Sequence, residues 1–109
     1  MPSIAVLVPA YNEGRTIVES IRSLTETEYP ELEIVVVNDG SSDDTLERLI
    51  EAFRLVKISA PIGGAIATAP IRALYRSTLP LPIVVVDKEN GGKSDALNAG
   101  TNVARYPYV

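Results

Sequence analysis

The sequence predicts a doubly wound α/β fold, in which a mostly parallel sheet lies between two layers of helices. Residues 3–8, 34–37 and 83–86 are short runs of branched apolar residues without polar alternation, which is typical of strands buried on both faces. Amphipathic segments follow these runs, and strands that alternate with helices form parallel sheets with right-handed crossovers. The length of 109 residues fits a single domain, which we assign to residues 1–109.

The first half of the chain is predicted to contain two strands, each followed by a helix. Pro9 closes the strand at residues 3–8, and apolar residues at helical spacing predict an amphipathic helix over about residues 14–27. The strand at residues 34–37 leads through a polar turn to a second helix, whose apolar stripe extends over residues 46–53. The expected N-caps are Asn12 for the first helix and Asp43 or Asp44 for the second.

The second half begins with a short predicted strand at residues 55–59. A long irregular excursion is expected over residues 58–82, because this segment is rich in proline and glycine, and one helical turn is expected near residues 71–75. The next strand lies at residues 83–86. A helix is predicted for residues 94–104, where small and apolar residues recur at helical spacing.

Composition excludes several classes of chemistry. The chain contains neither cysteine nor histidine, which excludes disulfides, zinc sites built from thiolates or imidazoles, cysteine nucleophiles and Ser-His-Asp triads. The net charge of -4 argues against nucleic acid as a partner. The longest uncharged run, residues 58–71, is shorter than the roughly 18 residues of a membrane span. We therefore expect the chain as given to be soluble.

The unusual polar residues gather in three loops that follow the strands. These loops are residues 9–13, 38–43 and 88–93. In a doubly wound sheet, the loops that leave the carboxyl ends of parallel strands form the ligand-binding crevice. We therefore expect the three loops to meet at one edge of the sheet and to form a binding site there.

Gly92-Lys93-Ser94 matches the end of a nucleotide-binding phosphate loop, which raises a first functional hypothesis. Such a loop requires glycine five positions before its last glycine, but Asp87 stands there, and its carboxylate would repel phosphate groups. The first turn likewise lacks the glycines of dinucleotide-binding folds. A phosphate-loop protein that binds nucleoside triphosphates is therefore one alternative. A non-catalytic interaction module that acts through residues 58–82 is another.

Three stretches of the sequence resemble the family 2 glycosyltransferases, whose nucleotide-sugar-binding domain has the GT-A fold. The stretches are VPAYNE at residues 8–13, VVNDGSSD at 36–43 and NGGKSDALNAG at 90–100. They occur in the order of the family, and each follows a predicted strand. The third stretch is most similar to bacterial enzymes that synthesise poly-N-acetylglucosamine, chitin-like or related polysaccharides. The resemblance implies a Rossmann-like, three-layer α/β/α domain that forms the nucleotide-binding half of a transferase.

The resemblance also implies roles for individual residues, because the crevice of this family binds a nucleoside diphosphate sugar, usually with uridine. One loop cradles uracil and ribose, one carboxylate accepts hydrogen bonds from the base or ribose, and one basic residue reaches the base or the diphosphate. The matching residues here are Pro9, Ala10, Tyr11 and Glu13 for the loop, Asp39 for the carboxylate and Lys93 for the basic residue. We expect these six residues to bind a UDP-sugar donor.

Several of these residues also have simpler structural interpretations. Asp39 followed by Gly40 is a common turn pair. Glu13 would complement the dipole of the first helix, and Tyr11 would pack at the edge of the core. Lys93 lies at the positive end of a predicted helix dipole, and this placement favours an anionic partner over a solvated surface.

For the parent enzyme, the resemblance implies inverting transfer of a sugar to a saccharide acceptor at the cytoplasmic face of the bacterial inner membrane. An Asp-x-Asp motif holds Mg or Mn there, and an acidic base deprotonates the acceptor. The sequence up to Val109 contains neither part, so we expect an inactive fragment without catalytic or metal-binding residues and with weak affinity for uridine diphosphate. We also expect residues 108–109 to begin another strand, and an open sheet edge to favour a homodimer.

Overall fold

The computed structural model describes residues 4–27, 29, 31–59 and 68–104. This part of the chain folds into one five-stranded sheet and three helices, which confirms the predicted α/β class. In chain order the elements are β1 (Ile4–Ala10), α1 (Ile17–Thr25), β2 (Leu32–Asp39), α2 (Thr45–Phe53), β3 (Leu55–Ile58), β4 (Ile71–Ser77), β5 (Ile83–Lys88) and α3 (Lys93–Val103).

The sheet is mixed, but four of its five strands run in the same direction. The strand order is β1-β2-β5-β4-β3, in which β1, β2 and β5 are parallel and β4 pairs antiparallel with both β5 and β3. Because β3 is antiparallel to β4, only β4 opposes the common direction. The carboxyl ends of β1, β2 and β5 lie side by side, with Ala10 opposite Asn38 and Asn38 opposite Asp87.

The centre of the parallel part is β2, and helices cover both of its faces. Ile34 and Val36 are fully buried in the cluster that α1 and α2 cover, whereas Val35 and Val37 are fully buried in the cluster that α3 covers. Full burial of such a side chain contributes about 1.5–3 kcal/mol, so an unbroken run of branched residues is most stable between two helical layers. The three-layer α/β/α arrangement follows from this pattern.

The helical turn expected near residues 71–75 is wrong, because these residues belong to β4. Leu74 pairs with Val86 of β5 on one side, and Tyr75 pairs with Lys57 of β3 on the other. The irregular excursion expected over residues 58–82 is therefore wrong for residues 71–77. Apolar and basic residues in this segment fit helical spacing locally, but hydrogen bonding to two neighbouring strands outweighs that weak preference.

The predicted helix caps are only partly correct. Asn12 does not cap α1, since Thr16 occupies the N-cap position and makes no side-chain capping bond. Asp44 occupies the N-cap position of α2, but it also makes no capping bond there, and its carboxylate pairs with Arg48 at 2.8 Å. Asp43 instead accepts the hydrogen bond from the Thr45 N–H at 3.0 Å. The chain thus reaches each helix through a loop that is held by side chains of the other loop.

The helices of the described residues are short. The longest, α3, has 11 residues, and no helix in this part of the chain is both long and apolar enough to cross a membrane. The predicted strand start at residues 108–109 and residues 60–67 of the expected excursion lie outside the described residues.

Candidate functional site

The three polar loops meet at the carboxyl ends of β1, β2 and β5 and enclose a cavity of about 360 Å³. All six residues predicted to bind the donor line this cavity, together with three others that were not predicted. The lining consists of Pro9, Ala10, Tyr11, Glu13, Asp39, Asn90, Gly92, Lys93 and Ala96. Residues that are separated by up to 87 positions in the sequence, from Pro9 to Ala96, are thus brought to one hollow.

The loop after β1 forms the first wall. Ala10 is buried, whereas Tyr11 is 53% exposed, so Tyr11 does not pack in the core as the simpler interpretation supposed. Glu13 lies before α1, which begins at Ile17, and the acid in the first turn of that helix is Glu19. Glu13 is therefore not the first-turn acid of α1. Its place in the cavity lining leaves it available to a ligand.

Hydrogen bonds fasten the loop after β1 to the loop after β2. The Asn12 N–H donates to Ser41 Oγ at 3.0 Å, and Asn12 Oδ1 accepts from the Ser42 N–H at 2.7 Å. Asn12 has a positive φ of 51°, a conformation in which asparagine is more frequent than most residues. The Gly14 N–H donates to Asp43 Oδ2 at 3.1 Å. These bonds fix the two loops relative to each other.

The pKa of Asp43 reflects these bonds. The hydrogen bond from the Thr45 hydroxyl is the main cause that holds the pKa of the Asp43 carboxyl below its usual value. Burial, the next cause, opposes it, and the N–H groups of Gly14 and Thr45 lower the pKa further. Asp43 does not line the cavity. Its observed contacts are those of a residue that fastens the loop, and they agree with the structural interpretation rather than with ligand contact.

Asp39 lies at the floor of the cavity and is almost completely buried. Its Oδ1 accepts from the Gly91 N–H at 3.0 Å and from the Lys88 ammonium, and its Oδ2 accepts from the Gly92 N–H at 2.9 Å. Asn90 Nδ2 donates to the main-chain oxygen of Asp39 at 2.9 Å and lies 3.5 Å from Oδ2. Asp39 therefore does more than form a turn, because its carboxylate shapes the loop of residues 90–92.

Gly40 allows the loops after β2 and β5 to touch. Its φ is +66°, and an added Cβ would lie 2.5 Å from the main-chain nitrogen of Asn90. Both the backbone conformation and the lack of space exclude other residues at this position. The Asp-Gly pair that the sequence suggested as a turn former is therefore also a contact between two walls of the cavity.

Lys88, the last residue of β5, is a residue beside the cavity that was not predicted from the sequence. Its side chain is fully buried, and its ammonium contacts Asp39 Oδ1, Asp95 Oδ2 at 2.6 Å and the main-chain oxygen of Glu89 at 2.6 Å. Burial alone would lower the pKa of Lys88, but the hydrogen bonds to Asp39 and Asp95 outweigh that effect and raise it. A signal was present in the sequence, since strand alternation places residue 88 on the same face as Val86, beneath a helix.

Lys93 is the first residue of α3 and is exposed at the cavity wall. No ion pair joins Lys93 to another residue in the described part of the chain. The N-terminus of α3 carries the positive end of the helix dipole, which adds to the charge of the ammonium. This side of the cavity is therefore suited to an anionic group.

The same geometry argues against a phosphate loop. In such a loop the glycine N–H groups bind phosphate oxygens, but the N–H groups of Gly91 and Gly92 donate to Asp39. Asp87 lies outside the cavity and accepts from Asn38 Nδ2 at 3.0 Å. The backbone donors that a triphosphate would need are thus occupied by a side chain of the protein.

Two further observations limit what the described residues can do. A larger cavity of about 670 Å³ lies at the opposite edge of the sheet, where β2 and β5 begin, and it contains none of the predicted site residues. Within residues 4–27, 29, 31–59 and 68–104, no three acidic side chains are grouped so that they could hold a metal ion.

Comparisons with known proteins identify similar sequences. The family model for glycosyl transferase family 2 matches residues 5–109. A poly-beta-1,6-N-acetyl-D-glucosamine synthase of Staphylococcus epidermidis is 34% identical over 107 residues, which cover 97% of this chain and 20% of that protein. The enzyme of the same name from Staphylococcus aureus is 30% identical over 110 residues, covering 100% of this chain and 21% of that protein. The chain thus spans about a fifth of the length of these relatives.

A similar fold occurs in a solved structure. It is the mannosyltransferase PcManGT from Pyrobaculum calidifontis in complex with GDP-Man and Mn²⁺, with a TM-score of 0.69 and 29% sequence identity. The match covers 94% of this chain and 24% of the mannosyltransferase chain. The described part of this chain therefore shares its fold with part of that mannosyltransferase.

Proposed function

Because the chain belongs to glycosyl transferase family 2, we propose that its 360 Å³ cavity binds the nucleoside diphosphate part of a sugar donor. One observation carries this proposal: three loops from three parallel strands converge on a single hollow that contains all six expected binding residues. The hollow lies at the carboxyl ends of the strands, which is where open α/β sheets bind their ligands.

Different residues of the cavity are suited to different parts of the ligand. The exposed ring of Tyr11 offers an apolar face on which a base can stack. Asp39 Oδ2 accepts from the Gly92 N–H at 2.9 Å and lies 3.5 Å from Asn90 Nδ2. Because a carboxylate oxygen can accept more than one hydrogen bond, Oδ2 keeps capacity to accept from an imide N–H or a ribose hydroxyl. Lys93 and the N-terminus of α3 lie where a diphosphate would be stabilised by positive charge.

We propose uridine as the base and a UDP-sugar as the donor, on the strength of the sequence resemblance. Guanosine is the competing base, because the solved structure of similar fold contains GDP-Man. Both bases present an N–H group to a carboxylate. The choice between them therefore requires a direct comparison of affinities.

The described residues of the cavity do not fit a divalent cation. When Mg or Mn is bound in the parent enzyme, it would stabilise the leaving diphosphate. Asp39, a carboxylate of this cavity, is surrounded by an ammonium and by N–H donors, which oppose a cation. We propose that the isolated chain binds the donor nucleotide and does not transfer sugar.

The role of the parent enzyme is a further part of the proposal. Its relatives in two staphylococcal species are named as synthases of poly-beta-1,6-N-acetyl-D-glucosamine. We propose an inverting transfer, in which the hydroxyl of a saccharide acceptor attacks the anomeric carbon and the nucleoside diphosphate leaves. We place the parent enzyme at the cytoplasmic face of the bacterial inner membrane.

Self-association through a sheet edge is also proposed. Within the described residues β1 and β3 are the outer strands of the sheet, and Val56 on β3 is 45% exposed. An outer strand presents unpaired backbone groups that another chain can use. Sedimentation should give a mass that rises with protein concentration. A monomer mass at every concentration would contradict this part of the proposal.

Calorimetric titration with UDP, GDP and ATP tests the proposed function. We expect UDP to bind, GDP to bind more weakly and ATP with Mg to bind weakest. Preferential binding of ATP would instead support the phosphate-loop alternative. Binding of none of the three nucleotides would contradict the proposal and favour an interaction module.

A further inference from the structure

A buried lysine lies directly behind the cavity. Lys88 ends β5, is fully buried and is not part of the cavity lining. Its ammonium meets three acceptors, which are Asp39 Oδ1, Asp95 Oδ2 and the main-chain oxygen of Glu89. An ammonium has three donors, and a buried charge is tolerated only when it is paired and hydrogen-bonded. The surroundings of Lys88 meet that requirement completely.

Both carboxylates that bind Lys88 also hold other parts of the backbone. Asp39 accepts from the N–H groups of Gly91 and Gly92 at 3.0 and 2.9 Å. Asp95 lies in the first turn of α3 and accepts from the Ala69 N–H at 3.0 Å. A single ammonium thus joins the end of β2, the loop of residues 89–92 and the start of α3.

Two of the residues held in this way face the proposed ligand. Gly92 and Lys93 line the cavity. On one side of them Asp39 holds the N–H groups of Gly91 and Gly92, and on the other side Lys88 holds the side chain of Asp95. Without the ammonium, Asp39 and Asp95 would be two neighbouring carboxylates of like charge with little solvent around them. Their repulsion would act directly on the short segment that carries Gly92 and Lys93.

We propose that Lys88 is a positioning residue of the nucleotide site, which holds Asp39 and the start of α3 so that Gly92 and Lys93 face the ligand. Lys88 does this without touching the ligand itself. The inference rests on the proposed function, because the ligand is the nucleoside diphosphate of that proposal. It adds a residue on which nucleotide binding depends and which the family resemblance did not indicate, since Lys88 is not among the six predicted site residues.

The test compares Lys88→Met with core variants that lose stability elsewhere. Methionine keeps most of the length of the side chain but removes the charge. Ile21→Val and Leu49→Ala shorten fully buried side chains of α1 and α2. The losses of stability in these two variants give a range with which the loss of stability in Lys88→Met can be compared. We expect Lys88→Met to weaken UDP binding at least roughly tenfold, as outer residues of a site typically do. We expect the two core variants to stay within about twofold of the unchanged protein.

A second variant, Asp95→Asn, keeps the ammonium and its contact with Asp39 and therefore carries less risk of unfolding. We expect it to weaken UDP binding by roughly threefold, because one arm of the arrangement loses its charge. Equal UDP affinities in Asp95→Asn, Lys88→Met and the unchanged protein would overturn the inference.

The amide shifts of Gly91 and Gly92 in the nucleotide-free protein separate the two proposals. These shifts should move in Lys88→Met and Asp95→Asn and stay unchanged in Ile21→Val and Leu49→Ala. If they do not move, the positioning role is overturned even where UDP binds. If they move but the unchanged protein binds no UDP, the proposed function is contradicted. The inference about the nucleotide site is then contradicted as well, by the lack of UDP binding and not by the amide shifts.

Discussion

The carboxyl ends of β2 and β5 carry two polar pairs that face opposite layers of the molecule. Asn38 and Asp87 are paired across the strands on the side of α1 and α2, whereas Asp39 and Lys88, one residue further on, are paired on the side of α3. In the first pair, buried Asn38 Oδ1 has no hydrogen-bond partner among the described residues. In the second pair, every donor of Lys88 has an acceptor.

This difference corresponds to a difference in position relative to the cavity. Asp39 lines the cavity, but neither Asn38 nor Asp87 does. The side chain of Arg72, which approaches Asp87 at 3.4 Å, is 50% exposed, so solvent screens that interaction. Two neighbouring pairs in one sheet thus differ in position: the first lies away from the cavity, and the second contributes Asp39 to its wall.

Replacing Asp39 should show the difference between the two pairs most strongly. In Asp39→Asn one carboxylate oxygen becomes an NH₂ group, which cannot accept a hydrogen bond. Either the Gly92 N–H, or both the Lys88 ammonium and the Gly91 N–H, then lose their acceptor, and the ammonium loses the charge of its partner. Removing one partner of a buried ion pair costs about 3–5 kcal/mol, so we expect the free energy of unfolding in urea to fall by about that amount. The matched variant Asp87→Asn should cost about 1 kcal/mol or less, because its amide oxygen can still accept from Asn38 Nδ2 and solvent screens the contact with half-exposed Arg72. Similar losses in the two variants would contradict the account.

Two glycine variants test whether the contact between the loops after β2 and β5 stabilises the protein. Gly40→Ala places a Cβ in a left-handed conformation and 2.5 Å from the nitrogen of Asn90. Gly92→Ala also has a positive φ, of +95°, but its Cβ meets nothing within 4 Å. The conformational penalty is about 1–2 kcal/mol for Gly40→Ala. It is about 1–3 kcal/mol for Gly92→Ala, because the ψ of Gly92 is 170° and few residues other than glycine adopt that conformation. Only Gly40→Ala adds a clash with backbone. Urea unfolding should therefore show a larger loss for Gly40→Ala, and the reverse order would argue against the loop contact.

Two exposed lysines test which face binds the nucleotide. Lys93 lies at the cavity, whereas Lys57 is exposed on β3, on the same face as Leu55. We expect Lys93→Met to weaken UDP binding by roughly tenfold, equivalent to about 1.4 kcal/mol, with little change in stability. Lys57→Met removes the same charge away from the cavity and should leave the affinity unchanged. Calorimetry of both variants decides the point, and equal affinities would exclude a specific role for Lys93.

The smallest expected effect is a pH dependence of stability. The hydrogen bond from Lys88, followed by that from the Ala69 N–H and opposed by burial, holds the pKa of Asp95 below its ordinary value of 3.8. A depressed pKa means that the unfolded state binds the proton more readily, so this stabilisation is complete above 3.8 and is lost as the pH falls through the lower, folded-state value. Lys88→Met lacks most of this contribution.

The difference in unfolding free energy between the unchanged protein and Lys88→Met should therefore narrow as the pH falls from about 5 to about 2. Asp43 also has a lowered pKa, but it is present in both proteins and cancels in the difference. Urea unfolding at several pH values provides the measurement. A difference that stays constant or widens with acid would contradict the role assigned to Lys88.

The parallel part of the sheet was predictable because its evidence is local. An unbroken run such as residues 34–37 predicts a strand covered on both faces, and polar loops after parallel strands must meet at one edge. Strand β4 was not predictable in this way, since its pairing with β3 and β5 is decided by residues distant in sequence. The local pattern of residues 71–75 fits a helix as well as a strand.

The candidate site shows the same limit. Motif residues such as Tyr11 and Lys93 could be named from the sequence, and both line the cavity. Lys88 was missed because no motif marks it, although strand alternation from Val86 already places it beneath a helix. The residue type of Asn12 predicts a helix cap, but its hydrogen bonds are made with Ser41 and Ser42 in the loop after β2. Such contacts between loops are invisible in a single stretch of sequence.

We propose that the three loops at the strand ends form one nucleotide site. Mapping of amide chemical shifts during titration with UDP is the most direct test of this proposal. The account predicts that the amides of Tyr11, Asp39 and Lys93 shift together and saturate at one common UDP concentration. Shifts confined to one of these loops, shifts at the opposite edge near Thr78 and Leu81, or no shifts at millimolar UDP would contradict it.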